Sequence, residues 1–265
     1  MAHEALAPQA ADPANPRARR VIEALAWLAF AVCVREAIAL VEVGERDIST
    51  FFNPDSLYIH DLVVDLWHGG KLRDWNMPHA TYLFPDISLW VLVALTTPNL
   101  HWASVAFGSV QCALAAVATR RLLTRRLGPW AAAWAPAAWA LVLAFVARGY
   151  LGEALDAFKA VHHFGIGVLL LVTLDVLGGA LETGRWRSIA ALVALVFALT
   201  LSDPFAVTCV WAPCLALLAL SVVLSPDQRR RRGAALLLVA AAGIVGSRLE
   251  RLITHAQTDL GEVRV

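Results

Sequence analysis

The sequence is poor in charged residues. They make up 16% of its 265 residues, whereas a soluble domain has about a quarter. With 59% hydrophobic residues and a mean hydropathy of +0.63, the chain has too little polar surface to cover itself in water. The net charge is only +1, and the arginines cluster in a few short loops. This pattern indicates orientation in a bilayer and not nucleic-acid binding.

The compact motifs of common enzyme classes are also missing. The sequence has no P-loop, dinucleotide-binding fingerprint, His-Glu-x-x-His motif, nucleophile elbow or Cys-x-x-Cys pair. Its four cysteines lie inside apolar runs without metal-ligand spacing, which is typical of small buried hydrophobic residues. The apolar segments do not alternate with a period of two, which argues against a transmembrane β-barrel.

Apolar segments recur along the chain and predict transmembrane helices. They are 21–40, 84–97, 102–119, 130–146, 165–181, 188–201, 205–224 and 233–245. Segment 84–97 is too short to cross a bilayer core of roughly 30 Å at about 1.5 Å per residue. We therefore predict an all-α, polytopic transmembrane helix bundle with about seven spans plus an interfacial or re-entrant outer segment.

Arginine clusters predict the orientation of these helices. One cluster at 17–20 precedes the first segment, and others lie at 120–126, 185–187 and 229–232. Positively charged loops stay in the cytoplasm, so the N-terminus is predicted to be cytoplasmic, in a bacterial inner (plasma) membrane. The clusters are most simply topology signals.

The predicted organisation has three parts and no separate soluble domain. They are a disordered cytoplasmic N-terminus at 1–20, a transmembrane helical domain at 21–248 with an outer loop at 45–86, and a C-terminal tail at 249–265.

The outer loop is the most polar and acidic stretch near the membrane. Within it, the pattern of Asp55–His68 predicts an amphipathic helix, started by Asn53-Pro54-Asp55 and stopped by Gly69-Gly70. Such a helix lies flat in the headgroup region of a membrane.

The predicted topology collects five ionisable candidates at the outer face, namely Asp55, Asp86, His162, His163 and Asp203. Asp55 suits a general base or a divalent-metal ligand, and equally a helix N-cap. Asp86 opens an apolar helix, where a carboxylate also serves as a cap. Asp203 is either an acidic site residue at membrane depth or part of a Ser-Asp-Pro turn.

The remaining candidates have simpler alternatives too. The pair His162-His163 suits a phosphate, or is merely polar at the interface. Asp61, Asp65 and His68 share one helical face with a spacing that can hold a metal, although a solvated face is the simpler explanation.

The order of these features resembles the N-terminal part of the GT-C superfamily of membrane glycosyltransferases, or a short relative of it. The features are a basic N-terminus with one span, the loop Asn53–Tyr58 with its interfacial helix, the element Tyr82–Asp86, and a span ending in Arg120-Arg121. The resemblance implies sugar transfer from a polyprenyl-phosphate donor to an acceptor hydroxyl, as in mannosyl- or aminoarabinose-transferases. It also implies that Asp55 is catalytic, as base or as ligand of a divalent metal ion.

Two other classes of function fit the composition. A transporter or flippase-like protein for a lipid-linked or small polar substrate needs ionisable residues along a midplane path, for which Asp175 is the main candidate. A non-catalytic membrane scaffold predicts no convergent acidic pocket at the outer face.

Overall fold

The computed structural model describes residues 16–42, 54–71, 74–75, 81–97, 99–147 and 164–261. This part of the chain is helical and has no strands. Its helices are α1 (Pro16–Glu42), α2 (Pro54–Trp67), α3 (Leu83–Ala94), α4 (Leu100–Arg126), α5 (Pro129–Ala133), α6 (Ala135–Ala147), α7 (Phe164–Thr183), α8 (Trp186–Ser202), α9 (Val207–Leu224) and α10 (Arg229–Gly261). The all-α prediction is confirmed for these residues.

Three of the described helices, α4, α7 and α9, are long and apolar enough to cross a membrane. The outside of the bundle is apolar as well: Leu141, Val223 and Leu237 are 72%, 68% and 72% exposed. Large exposed apolar surfaces mark contact with a membrane or a partner, so both observations indicate a membrane protein. The predicted seven spans and the re-entrant character of α3 stay predictions.

One end of the bundle gathers the arginines, and we call it the arginine end. Arg126 and Glu182 pair at 3.2 Å, which brings the C-terminal ends of α4 and α7 together. Arg232, at the start of α10, donates hydrogen bonds to the carbonyl oxygens of Leu181 (2.7 Å) and Ser221 (3.1 Å). The end of α9 and the start of α10 therefore lie there too.

Helix α1 begins at the same end. Glu23, near its start, pairs with Arg120 at 2.6 Å. Further along, Phe30 packs in a buried cluster with Cys112 of α4 and Leu143 of α6. Because α1 leaves the arginine end as α4 approaches it, the two helices run in opposite directions.

At the opposite end, α2 and α3 form a layer against the first half of α4. Trp90 of α3 meets Phe107 of α4 with ring centroids 5.4 Å apart, and Ile59 and Val63 of α2 pack on the same cluster. Since only residues 95–99 join α3 to α4, the two helices form an antiparallel hairpin. The start of α3 therefore points back towards the middle of the bundle.

Local predictions agree well with the described helices. The amphipathic helix predicted at Asp55–His68 is present as α2, and Gly69 follows it with a φ of 91°, in the left-handed region that glycine favours. Of the predicted N-terminal segment 1–20, residues 1–15 lie outside the described part of the chain. The predicted tail 249–265 continues α10 as far as Gly261.

Candidate functional site

Asp86 and Asp203 come together where the end of α8 meets the starts of α3 and α7, away from the arginine end, and we call this region the acidic end. Asp86 lies in the first turn of α3 and is 2% exposed, and Asp203 follows the last residue of α8 and is 1% exposed. They are close enough for the charge of Asp203 to act on Asp86. Two of the five sequence candidates are therefore neighbours in the fold.

The segment before α3 holds this arrangement by bonding to the end of α8. The Tyr82 N–H donates to the carbonyl oxygen of Ser202 (3.0 Å), and the Phe84 N–H donates to the Ser202 hydroxyl (2.8 Å). The Thr81 hydroxyl donates to the carbonyl oxygen of Leu201 (2.9 Å). Carbonyl groups at the end of a helix have no partner within it, so this segment supplies donors that α8 needs.

Tyr82 has an uncommon backbone conformation, with φ of 49° and ψ of 24°. A non-glycine residue in this left-handed region costs about 1 kcal/mol or more. The bonds to Ser202 hold Tyr82 in place despite that cost. Tyr82, and not Asp86, is the N-cap residue of α3, and it makes no side-chain cap bond. Asp86 lies inside the first turn, where the partial positive charge of the helix N-terminus favours a carboxylate.

The start of α7 presses against Asp86. A Cβ atom added to Gly165 would lie 2.5 Å from Asp86 Oδ1 and 2.6 Å from Pro85 Cγ, which is too close for any side chain. Gly165 therefore lets the Asp86 carboxyl approach the helix backbone. The partial positive charge of a helix N-terminus favours a carboxylate there.

Burial raises the pKa of Asp86, which lies outside the three candidate spans, well above its usual value, and the Asp203 carboxylate raises it further. Taking a carboxylate out of water disfavours its charged form, and a second negative charge nearby adds to this effect. Both effects favour the protonated, neutral form of the Asp86 carboxyl group.

Asp203 also has the turn role that its sequence context suggests. Its Oδ1 accepts a hydrogen bond from the Phe205 N–H at 2.8 Å, and its backbone carbonyl accepts one from Ala206 at 3.0 Å. These contacts form the turn between α8 and α9. The turn interpretation and the site interpretation are therefore compatible, because the same turn holds Asp203 close enough for its charge to act on Asp86.

The other predicted site residues are placed less completely. Asp55 lies in the first turn of α2, one turn before Tyr58, and Tyr58 packs in the cluster that contains Tyr82 of the segment before α3. The start of α2 is thus directed towards the acidic end, while the Asp55 side chain lies outside the described residues. His162 and His163 also lie outside them; the described chain resumes at Phe164, beside Gly165.

The metal interpretation of the α2 polar face has little support among the described residues. Asp65 Oδ2 accepts a hydrogen bond from the Trp75 indole N–H at 2.7 Å, and His68 Nδ1 lies 2.7 Å from the Val64 carbonyl oxygen. Asp61 is exposed. Within the described ranges no group of three His, Cys, Asp or Glu side chains is arranged to hold a metal ion.

Asp175, the transporter candidate, is buried at the arginine end. Arg121 Nε lies 3.5 Å from its Oδ2, and Arg125 Nη1 lies 3.0 Å from its Oδ1. The latter contact is an ion pair without hydrogen-bond geometry, since Arg125 directs its hydrogen bond to the Asp175 backbone carbonyl at 2.8 Å. A carboxylate held by two arginines is a structural ion pair and differs from a group along an open midplane path.

Sequence reasoning missed two residues that shape the acidic end, Ser202 and Gly165, and one buried amide in α4, Gln111. Ser202 and Gly165 carry no sequence signal of their own, because their roles depend on contacts with a segment far away in the chain. Gln111 had a signal, being a lone amide in an apolar segment; it is buried, and neither amide atom has a hydrogen-bond partner among the described residues.

Comparison of this chain with protein-family models, with curated proteins and with solved structures finds no match. The likeness to the GT-C superfamily therefore rests on the order of features in the sequence.

Proposed function

We propose that this chain is a membrane glycosyltransferase resembling the GT-C superfamily. It transfers a sugar from a polyprenyl-phosphate donor in the membrane to an acceptor hydroxyl at the acidic end. The observation that carries this proposal is the meeting of two buried carboxyl groups, Asp86 and Asp203, where α3, α7 and α8 converge. An interfacial helix, α2, lies beside them.

The orientation follows from the arginines. Because positively charged loops stay in the cytoplasm, the arginine end faces the cytoplasm and the acidic end faces outwards, in a bacterial inner membrane crossed about seven times. The phosphate of a lipid-linked donor at the outer leaflet then lies at the level of the acidic end. In this arrangement α3 is the re-entrant segment.

The chemistry requires one proton acceptor and one group that steadies the substrates. The acceptor oxygen attacks the anomeric carbon, the bond from that carbon to the phosphate oxygen breaks, and the lipid phosphate leaves with the electron pair. Asp55 takes the hydroxyl proton. Asp86 and Asp203 bind sugar hydroxyl groups, while His162 and His163 bind the departing phosphate.

A transfer assay tests the proposal. Membranes containing the full chain are incubated with polyprenyl-phosphate mannose or polyprenyl-phosphate aminoarabinose, and loss of sugar from the lipid is measured. Asp55→Asn should lower the rate by about 10²-fold or more, because it removes the general base. Asp61→Asn, on the exposed face of the same helix, is the matched control.

Two results would contradict the proposal. One is the absence of transfer from either donor above membranes that lack the chain. The other is an active chain in which Asp55→Asn and Asp61→Asn behave alike.

Cysteine labelling in intact cells tests the orientation separately. Ser202 is buried and hydrogen-bonded, so the exposed neighbour Phe205 is the better reporter for the acidic end. In a background without the four native cysteines, Phe205→Cys should react with an impermeant maleimide, and the exposed Arg230→Cys should react only after the cells are opened. The reverse pattern would place the acidic end in the cytoplasm.

One observation counts against each of the two other hypotheses, the scaffold and the transporter. The scaffold hypothesis expects no convergent acidic pocket, yet Asp86 and Asp203 converge. The transporter hypothesis depends on Asp175, which is held between Arg121 and Arg125. Sugar transfer is therefore the function that the described residues support best.

A further inference from the structure

The arginine end contains a polar cleft that the proposed sugar transfer does not use. The cleft has a volume of about 220 Å³ and lies between the C-terminal halves of α4 and α7 and the start of α8. Its charged lining consists of Arg121, Arg125, Arg187 and Asp175, and Ser188 adds a hydroxyl group. Three guanidinium groups thus face one carboxylate.

Nearby acidic residues do not balance this excess of positive charge. Glu23 is engaged with Arg120, and Glu182 is engaged with Arg126. Asp175 is shared between Arg121 and Arg125, whose side chains are 64% and 41% exposed. Arg187 forms no ion pair within the described part of the chain. Guanidinium groups bind phosphate oxygens in paired hydrogen bonds, so the cleft suits a phosphate-bearing anion.

The surface next to the cleft is apolar and suits a hydrocarbon chain. Ala190, Ala191 and Ala194 form an exposed stripe along α8, starting beside Arg187. The stripe borders a groove of about 580 Å³ between α8 and α10, lined by apolar side chains such as Phe197 and Leu238. Trp186, exposed at the start of α8, occupies the position that tryptophan favours at a membrane interface.

We infer that this cleft binds the headgroup phosphate of an anionic phospholipid, with an acyl chain lying along the alanine stripe towards the groove. Basic pockets between helices at a membrane interface recognise anionic headgroups through the same chemistry. Free phosphate satisfies only the arginines, whereas a phospholipid fills both the charged cleft and the apolar surface beside it. The inference does not depend on sugar transfer.

The test uses the full chain in neutral detergent and measures its thermal midpoint during titration with phosphatidylglycerol. Phosphatidylcholine and inorganic phosphate are titrated in parallel. A ligand that binds only the folded chain raises the midpoint as its concentration passes the dissociation constant. Phosphatidylglycerol should raise the midpoint at the lowest concentration, and inorganic phosphate should have little effect.

Arg187→Gln and Arg121→Gln are the decisive variants, because Arg125 remains to pair with the buried Asp175. Each should weaken phosphatidylglycerol binding by about fivefold, which is the contribution of one arginine to affinity for an anionic lipid. Arg229→Gln and Arg230→Gln remove equal charge from exposed positions at the same end and outside the cleft, and should leave binding unchanged.

Three outcomes would overturn the inference. Equal weakening in all four variants means that the lipid responds only to overall charge. If inorganic phosphate raises the thermal midpoint as much as phosphatidylglycerol does, the cleft binds a free anion and not a lipid. Unchanged binding in Arg187→Gln, with its fold verified by circular dichroism, removes the cleft from consideration.

Discussion

At the arginine end Asp175 is buried between two guanidinium groups, whereas at the acidic end Asp86 is buried beside a second carboxyl group, that of Asp203. The first arrangement compensates a buried charge, and the second increases its cost. The arginine end therefore holds helices together through its charges, while the acidic end carries charges that weaken the folded state. Groups kept at such a cost are typical of functional sites.

The largest effect is expected at Arg232, which joins the ends of α7 and α9 to the start of α10. Arg232→Met removes hydrogen bonds to Leu181, Ser221 and Ser225 and should lower the free energy of unfolding by about 3 kcal/mol. Thermal unfolding in detergent measures the loss. Arg231→Met, an exposed neighbour, is the control, and equal effects in both would show that the bonds contribute little.

At the acidic end, Gly165→Ala should lower the free energy of unfolding by about 2 kcal/mol, because the new methyl group meets Asp86 and Pro85. Gly167 lies in the same helix and has no atom within 4 Å of an added Cβ. Gly167→Ala should therefore stabilise the chain by up to about 1 kcal/mol through helix propensity. Thermal midpoints that shift in the same direction would contradict the close packing at Gly165.

Replacing a buried Asp by Asn should lower the free energy of unfolding at the arginine end and raise it at the acidic end. Asp175→Asn leaves Arg121 and Arg125 without their carboxylate and should cost about 1–2 kcal/mol, less than a fully buried pair because both arginines are partly exposed. Glu182→Gln, in the exposed pair with Arg126, should cost less than about 1 kcal/mol. Chemical denaturation measures the free energy of unfolding of each variant. If Asp175→Asn is as stable as the unsubstituted chain, the ion pair has no structural role.

The last effect has the opposite sign and is expected for Asp86→Asn. The folded-state pKa of Asp86 is raised above its unfolded value, so its contribution to stability is complete when it is protonated and is lost as the pH rises through the folded pKa. Near neutral pH the substitution should therefore stabilise the chain, because it removes a carboxyl group whose charged form is disfavoured by burial and by the Asp203 carboxylate.

Thermal midpoints measured between about pH 5 and pH 8 test this linkage. The unsubstituted chain should become less stable as the pH rises, and Asp86→Asn should flatten that dependence. Asp61→Asn, at an exposed position, should retain it. If Asp86→Asn destabilises the chain at every pH, the carboxylate has a favourable partner and the contrast between the two ends disappears.

The helices could be predicted because their signals are local. The start of α2 at Pro54 and its end before Gly69 follow from capping and turn residues a few positions away. The apolar segments follow from composition within one window. The predicted topology also puts Asp86 and Asp203 at one face, although it gives no reason for them to be neighbours.

The details of the site depend on contacts between distant parts of the chain. Phe84 and Ser202 are 118 residues apart, and neither residue type indicates the bond between them. The sequence marks the arginine clusters only as topology signals, because it does not show that Arg232 bonds the ends of two other helices. Side-chain partners across a bundle depend on helix rotation and depth, which hydropathy does not determine.

The bonds from Thr81 and Tyr82 to the end of α8 also have a consequence during synthesis. The hydroxyl bond from Thr81 to Leu201 joins residues 120 positions apart. At a ribosomal rate of about 5–20 residues per second, the end of α8 is made roughly 6–24 s after Thr81. During that interval Asp86 lacks both Ser202 and Asp203 as neighbours, and α3 has no α8 to anchor it. The acidic end is therefore completed late, after the α3–α4 hairpin has been made.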